Sequence, residues 1–276
     1  MQDAPWLGGC PAAPLEDEPM ERNAVRRALL ERRVTLGTWI QIGHAAVAEV
    51  LAEAGFEWIA VDCEHTEIDV EGVTQLARGM YGRGPVPMVR VRENDTLAIR
   101  LVLDAGAGGV IVPMVGSAEE AARAVAAAKY PPEGVRGYAF SRANDYGVGF
   151  DDYVRHANEE IAVVVMIESK RAIEEIDPIL SVDGVDGVLI GPYDLSGSYG
   201  VPGEIDHRLV RDGCGRVLEA CVHAGKSAGI HVARPDDGAI RQALDDGFTF
   251  IALGVDAVFL DESARRALET ARSALR

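Results

Sequence analysis

The chain has 276 residues, 48% hydrophobic and 26% charged, which is enough apolar material for a sizeable core and excludes wholesale disorder. Acidic residues outnumber basic ones 44 to 27, and the resulting formal charge of −17 argues against tight non-specific binding to nucleic acid or to an anionic membrane. No apolar run is long enough to span a bilayer, and Cys10, Cys63, Cys214 and Cys221 show no C-x-x-C spacing, which points to a reduced, cytoplasmic protein.

Residues 1–19 are rich in Pro, Gly, Ala and acid and lack the basic and apolar regions of a signal peptide, so they read as a loose tail before one domain over 20–276. A short helix is predicted over 21–33. From there short Val/Ile-rich runs recur at 35–41, 58–63, 86–91, 109–115, 161–167, 185–191, 227–233 and 248–254. Their near-continuous hydrophobicity suits strands covered on both faces. Between them lie stretches with apolar residues at i, i+3 and i+4, several ending in Ala-Gly or Asp-Gly as helices do before a turn. Eight strands alternating with eight helices, roughly 30 residues per unit, predict a parallel sheet closed as an α/β (β/α)8 barrel. An open doubly wound sheet is the weaker reading, because no G-x-G-x-x-G opens the first helix. Residues 131–160 break the rhythm and are read as a long loop over the active face.

In such a barrel chemistry sits at the C-terminal ends of the strands. The second run ends in Asp62-Cys63-Glu64-His65, the third in Arg90 and Arg92, and the fifth in Glu168-Ser169-Lys170. The sixth ends in Gly191-Pro192-Tyr193-Asp194, the seventh carries His231, and the eighth leads to Asp256. Taken singly, each has an ordinary role: Glu168 or Asp194 as a helix-start residue, Arg90 as a partner for a rim acid, His231 as a packed strand residue. Together, Glu168 and Asp194 form the sparse oxygen pair that a hard cation such as Mg²⁺ accepts, whereas no His/Cys cluster has zinc spacing. Free N–H groups after Gly191-Pro192 could hold a carboxylate or phosphate. A cation, an anion pocket, a histidine and an arginine suit a 2-oxo acid and its enolate.

These residues also carry a family resemblance. G-T-W at 37–39, V-D-C-E-H at 61–65, P-M-V-R at 87–90, V-L-D-A-G-A at 102–107 and V-P-M-V at 112–115 resemble the HpcH/HpaI family of class II pyruvate aldolases. So do K-Y-P-P-E-G-V-R-G at 129–137, M-I-E-S at 166–169, D-G-V-L-I-G-P-Y-D-L-S at 186–196 and G-K-S-A-G at 225–229. The resemblance implies a metal-dependent aldolase that cleaves or forms 4-hydroxy-2-oxo acids, giving pyruvate and an aldehyde through a metal-bound enolate. The divalent metal, Mg²⁺ or alternatively Mn²⁺ or Co²⁺, would sit on Glu168 and Asp194. His65 would be the acid/base, oriented by Asp104, and Arg90 would hold the oxo oxygen, with Asp62 and Glu64 near metal-bound water. Trp39, Gly191, Pro192 and Tyr193 would contact the oxo acid. The resemblance further implies a homo-oligomer, a hexamer or trimer of dimers, with sites near subunit boundaries. Departures gather in 138–147, where Asn144 and Tyr146 are expected to face the aldehyde, and Cys63 stands where the family more often has Gly. The partners expected are thus a 2-oxo acid and an aldehyde, with no nucleic acid and no membrane. Other carbon–carbon bond-forming or decarboxylating chemistry on an oxaloacetate or pyruvate enolate is the alternative. A non-catalytic oxo-acid-binding barrel is disfavoured by the intact residue set. A Schiff-base aldolase would need an amine in the barrel, and of Lys129, Lys170 and Lys226 only Lys170 is predicted near the rim.

Overall fold

In the computed structural model, which describes residues 23–276, eight parallel strands close into a barrel in chain order. They are β1 Thr35–Ile40, β2 Trp58–Asp62, β3 Val86–Arg90, β4 Gly109–Val112, β5 Ala162–Ile167, β6 Gly187–Ile190, β7 Ser227–Val232 and β8 Phe250–Val255, with β1 pairing β8 to close the ring. The strands are short and rich in Val and Ile; β2, β4, β5 and β6 are wholly buried, as predicted, whereas β3 and β7 are buried over only part of their length. The predicted (β/α)8 barrel is the observed fold. Cys10 and the tail predicted over 1–19 lie outside the described residues.

α1 Ala24–Glu31 precedes the first strand, and the connecting helices lie outside the barrel: α2 Ala45–Glu53, α3 Val70–Met80, α4 Thr96–Asp104 and α5 Ala118–Ala128 come in the first half. The second half adds α6 Phe150–Glu160, α7 Lys170–Glu174, α8 Ile176–Leu180, α9 Pro192–Ser198, α10 Arg208–Ala224, α11 Asp237–Asp245 and α12 Asp256–Ala274. Asp69, Asp95, Ser117, Ser169 and Asp236 each accept a hydrogen bond from a first-turn N–H of the helix they open. The helix predicted after the fifth strand is split in two. Pro178 has no N–H for the carbonyl of Glu174 and would clash with it, so α7 stops there.

Two apolar clusters follow from strand alternation. One lies between strands and helices; the other fills the barrel with Trp39, Trp58, Ala60, Met88, Ile111, Val164, Met166, Leu189, Phe250 and Ala252. Trp58 stacks on Phe250 at 3.9 Å, and only a glycine at position 37 leaves room, since a Cβ there would lie 2.0 Å from the Trp58 ring. The N-terminal end is plugged by α1: Val25 and Leu29 join the interior cluster, and Ser227 donates to the Leu29 carbonyl at 2.8 Å.

The segment over 131–160 is where the prediction fails. It follows α5 and precedes β5, so it is a helix-to-strand connection at the N-terminal end of the barrel, not a strand-to-helix loop over the rim. It contains a 3-10 turn over Arg142–Gly147 and the whole of α6, a helix where a loop is expected. Arg142 donates to the carbonyls of Ala105 and Ala77, and Arg78 to the Tyr146 hydroxyl, fastening the segment to the C-terminal ends of α3 and α4.

Candidate active site

At the C-terminal rim the inward phase of the strands continues past the apolar layers. Trp39 is followed around the ring by Asp62, two residues after Ala60, and by Arg90, two after Met88. Glu168 stands two residues after Met166, and His231 pairs in register with Ala252.

Asp62 is the hub. Its side chain has no exposed surface, and five donors converge on it: Arg90 Nε at 3.0 Å and Nη2 at 2.7 Å, Gln41 Nε2 at 3.0 Å, and the backbone N–H groups of Glu64 at 3.1 Å and His65 at 3.2 Å. Burial alone would raise its pKa. The hydrogen bonds and charge of Arg90, with Gln41 and His65, outweigh that and hold the carboxyl below its ordinary value. A carboxylate so fully engaged is no acid/base. It fixes the guanidinium of Arg90 and the turn that presents Glu64 and His65.

Glu64 and Glu168 each feel the negative charge of Asp194 and the positive charge of Arg90, and Glu168 also feels Glu64. Glu64 Oε2 is buried without a hydrogen bond, at ion-pair distance from Arg90 Nη1 (3.3 Å) and His65 Nε2 (3.5 Å). Burial raises its pKa, with Arg90 and His65 opposing. Glu168 is 4% exposed and is pushed up to about 7, first by burial and then by Glu64 and Asp194, against the N–H of Met114 and the charge of Arg90. Its Oε2 accepts from Met114 N–H at 2.8 Å, an N–H turned inward because Met114 takes the left-handed conformation with φ 56°. Its Cγ and Oε1 lie where a Cβ on Gly191 would fall, 2.8 and 2.9 Å away.

Such clustered, incompletely compensated carboxylates fit a hard divalent cation. Among the described residues no group of three or more His, Cys, Asp or Glu is drawn together for a metal. Two carboxylates with water and substrate oxygens suffice for a Mg²⁺-type ion. Asp194 lies in the first turn of α9, which has no side-chain cap at Gly191. Gly191 N–H is already given to Ile167 O at 3.2 Å and Pro192 has none, so the N–H groups of Tyr193 and Asp194 are those available to an anion. The Tyr193 side chain is exposed. A rim cavity of about 170 Å³, lined by Glu64, Arg92, Met114 and Arg123 among others, opens beside this cluster.

The His65 side chain is 58% exposed, with Glu64 at ion-pair distance beside it. Asp104, expected to orient it, is elsewhere in the chain. It ends α4 and pairs with buried Arg136 at 2.7 Å. Asn144 is also not at the rim. Its side chain is buried in its own turn, accepting from Ser141 and Gly147 N–H and donating to the Ala139 carbonyl. Tyr146 lies near it, bonded by Arg78. Asp104, at the C-terminal end of α4, and Asn144 and Tyr146, on the connection before β5, all lie at the N-terminal end of the barrel, away from the rim of the same chain.

No lysine enters the barrel. Lys170 is on the surface beside Glu174, Lys226 donates to Val185 O, and buried Lys129 donates to the carbonyls of Asn158 and Ile161 at the N-terminal end. Sequence reasoning missed Gln41, Met114 and the steric role of Gly191. Gln41 ends the first predicted run, and Gly191 stands directly before a helix-opening proline, so both had a positional signal; Met114 had none.

The chain matches the family model described as HpcH/HpaI aldolase/citrate lyase over residues 35–261. It is 37% identical over 252 residues to a hydroxypyruvate/pyruvate aldolase of Roseovarius nubinhibens, covering 91% of this chain and 97% of that one. It is 39% identical over 240 residues to a 4-hydroxy-2-oxovalerate aldolase of Rhodococcus jostii, covering 86% and 92%. The crystal structure of an HpcH/HpaI aldolase/citrate lyase family protein from Burkholderia cenocepacia superimposes with a TM-score of 0.87 at 33% identity, covering 91% of this chain and 99% of that one.

Proposed function

The chain belongs to the HpcH/HpaI aldolase/citrate lyase family and is a carbon–carbon lyase, and from that premise we propose that it cleaves 4-hydroxy-2-oxo acids to pyruvate and an aldehyde, and forms them in reverse. The observation that carries this reading is the rim cluster: three interacting carboxylates beside an arginine locked in place by a buried aspartate. A divalent cation such as Mg²⁺, Mn²⁺ or Co²⁺ held by Glu168 and Asp194 would supply Lewis-acid stabilisation to an enolate oxygen.

The chain's own groups do the rest. The N–H groups of Tyr193 and Asp194 receive the substrate carboxylate. Arg90, whose guanidinium cannot rotate away from Asp62, faces the 2-oxo oxygen with its charge already oriented. His65 takes the proton of the C4 hydroxyl. As the C4 carbonyl forms, the C3–C4 bond breaks and its electron pair becomes the enolate of pyruvate, after which C3 is protonated. Glu64, between His65 and Arg90, keeps the imidazole turned to the rim.

Asp104, Asn144 and Tyr146 lie at the N-terminal end, so they can meet a rim only of a second copy. Exposed Tyr138, Phe140, Tyr146 and Val148 give that end an apolar surface suited to burial in a homo-oligomer such as the hexamer. The thiols of Cys63, Cys214 and Cys221 are free, which fits a reducing cytoplasmic setting. Among the described residues no helix is long and apolar enough to cross a membrane.

The test is pyruvate release from a 4-hydroxy-2-oxo acid. Activity should vanish with chelator, return with Mg²⁺ or Mn²⁺, and fall about 10²–10⁴-fold in His65→Ala. Chelator-insensitive cleavage, or borohydride trapping of pyruvate on the protein, would refute it.

A further inference from the structure

The side chain of Met114 takes no part in the cleavage derived above, yet the fold sets it beside the reacting groups. The left-handed backbone of Met114, with φ 56°, gives its N–H to Glu168 Oε2 at 2.8 Å. The residue is 62% exposed and lines the rim cavity of about 170 Å³ together with Glu64, Arg92 and Arg123. Glycine takes a left-handed backbone without strain, so the turn itself does not call for a thioether here.

The other sulfur atoms of the described residues are withdrawn from solvent or slow to react. Met80, Met88 and Met166 are at most 4% exposed. Cys63 and Cys221 are buried, and burial pushes both thiols up to about 12. Cys214 is half-buried, and burial pushes it up to about 11. The thiolate is the reactive form of cysteine, so all three are nearly inert at neutral pH. A thioether needs no ionisation to be oxidised, and there exposure decides. Met114 is therefore the sulfur that a small oxidant meets first among the described residues.

We propose that Met114 is a reversible oxidation site, whose sulfoxide obstructs the rim and shuts the enzyme down. Hydrogen peroxide gives one oxygen atom to the sulfur lone pair: the O–O bond breaks, an S–O bond forms, sulfur loses two electrons, and water leaves. Methionine sulfoxide reductases, drawing on a dithiol, reverse the step; the oxygen departs as water and the dithiol becomes a disulfide. The added oxygen is a strong acceptor in a cavity walled by the carboxylates of Glu64, Glu93 and Glu120 and the guanidinium groups of Arg92 and Arg123. The carboxylates repel it and the guanidinium groups donate to it. That bond draws a cation across the cavity beside Glu64, and it pulls on the residue whose N–H holds Glu168. The inference rests on the aldolase reading for the loss of activity, whereas the site of oxidation is read from the protein alone.

The test treats the full chain with hydrogen peroxide in chelator, removes the excess with catalase because peroxide also attacks 2-oxo acids, and then adds Mg²⁺ for pyruvate methyl exchange. Peptide mass spectrometry should find one added oxygen at Met114 well before any at Met80, Met88 or Met166. Exchange should fall about tenfold or more, the scale of one hydrogen bond to a charged group, in step with the fraction of Met114 oxidised. Methionine sulfoxide reductases A and B with dithiothreitol should restore it. Dithiothreitol alone, which rescues an oxidised cysteine, should not. Met114→Leu retains Met1 and Met20, and its ratio of treated to untreated rate should stay near one. That ratio is the readout, so a change in the variant's own rate does not mask the effect. Oxidation of Met114 no faster than of the buried methionines, full exchange with Met114 oxidised, or equal inactivation of Met114→Leu would overturn the proposal. An untreated chain that shows no exchange would instead strike at the aldolase reading, and the masses would still decide whether Met114 is the preferred site.

Discussion

Replacing Gly191 with alanine tests the rim geometry with one carbon atom. The backbone at Gly191 has φ −104° and ψ 87°, which alanine adopts without strain, so the perturbation is steric alone. The added Cβ would lie 2.8 Å from Glu168 Cγ and 2.9 Å from its Oε1, where carbon atoms normally keep about 3.5–4.0 Å. Glu168 must therefore retreat by about 0.7–1 Å. A displacement of about 1 Å in a reacting constellation costs on the order of 10²-fold in rate. Overpacking costs about 1–3 kcal/mol in a closed core, and the open rim puts this case at the lower end. The expected variant is folded, loses a few degrees in Tm at most, and falls about 10²-fold in kcat/KM with weaker activation by Mg²⁺. Gly197→Ala is the control. A Cβ there meets nothing within 4 Å, and an alanine inside α9 should stabilise by about 0.5–1 kcal/mol with activity retained. A Gly191→Ala enzyme with wild-type kcat/KM and metal response would refute the placement of Glu168 as a working ligand.

Three other outcomes follow from the same geometry. Asp62→Asn breaks a buried ion pair and should cost about 3–5 kcal/mol in urea denaturation at pH 7. Because the folded pKa of Asp62 lies below its ordinary value, that contribution is complete above pH 3.8 and is lost as pH falls through the folded value, so the gap to Asp62→Asn should close in acid. Lys129 has the opposite sign: burial lowers its pKa from 10.5 to about 8, so the folded state releases the proton first. Wild-type stability relative to Lys129→Met should therefore rise between pH 8 and 10.5, by up to about 3 kcal/mol, whereas a flat difference would contradict the buried amine. Finally, inactive Glu168→Gln and inactive Asp104→Ala chains, mixed and allowed to reassemble, should regain part of the activity, because a site built from two copies can then be intact; no recovery argues that Asp104 serves only Arg136.

The barrel was legible because each strand is a short Val/Ile run and each helix shows a 3.6-residue period, signals that burial on two faces and on one face impose. The rim carboxylates were legible because chemistry in this architecture collects where strands end, which put Asp62, Glu64, Glu168 and Asp194 on one ring. The 131–160 segment was misread, although element order contained the answer: a segment that follows a helix and precedes a strand lies at the N-terminal end. Within it Phe150, Tyr153, Val154 and Ala157 recur at the helical period, which marks α6. The rest depends on three-dimensional coincidence. Nothing in V-P-M-V announces that Met114 turns left-handed to hold Glu168, and nothing local announces that Gln41 and Arg90 converge on Asp62.

The most direct test of the account is hydrogen–deuterium exchange at the pyruvate methyl group, followed by NMR in D₂O without any aldehyde. Exchange reports enolate formation at the rim and needs no knowledge of the second substrate. The account predicts that the full chain with Mg²⁺ or Mn²⁺ removes the methyl proton signal, and that chelator or Glu168→Gln abolishes the effect. Exchange that persists at the wild-type rate in both would contradict a carboxylate-held cation, and absence of exchange with metal present would contradict the enolate chemistry itself.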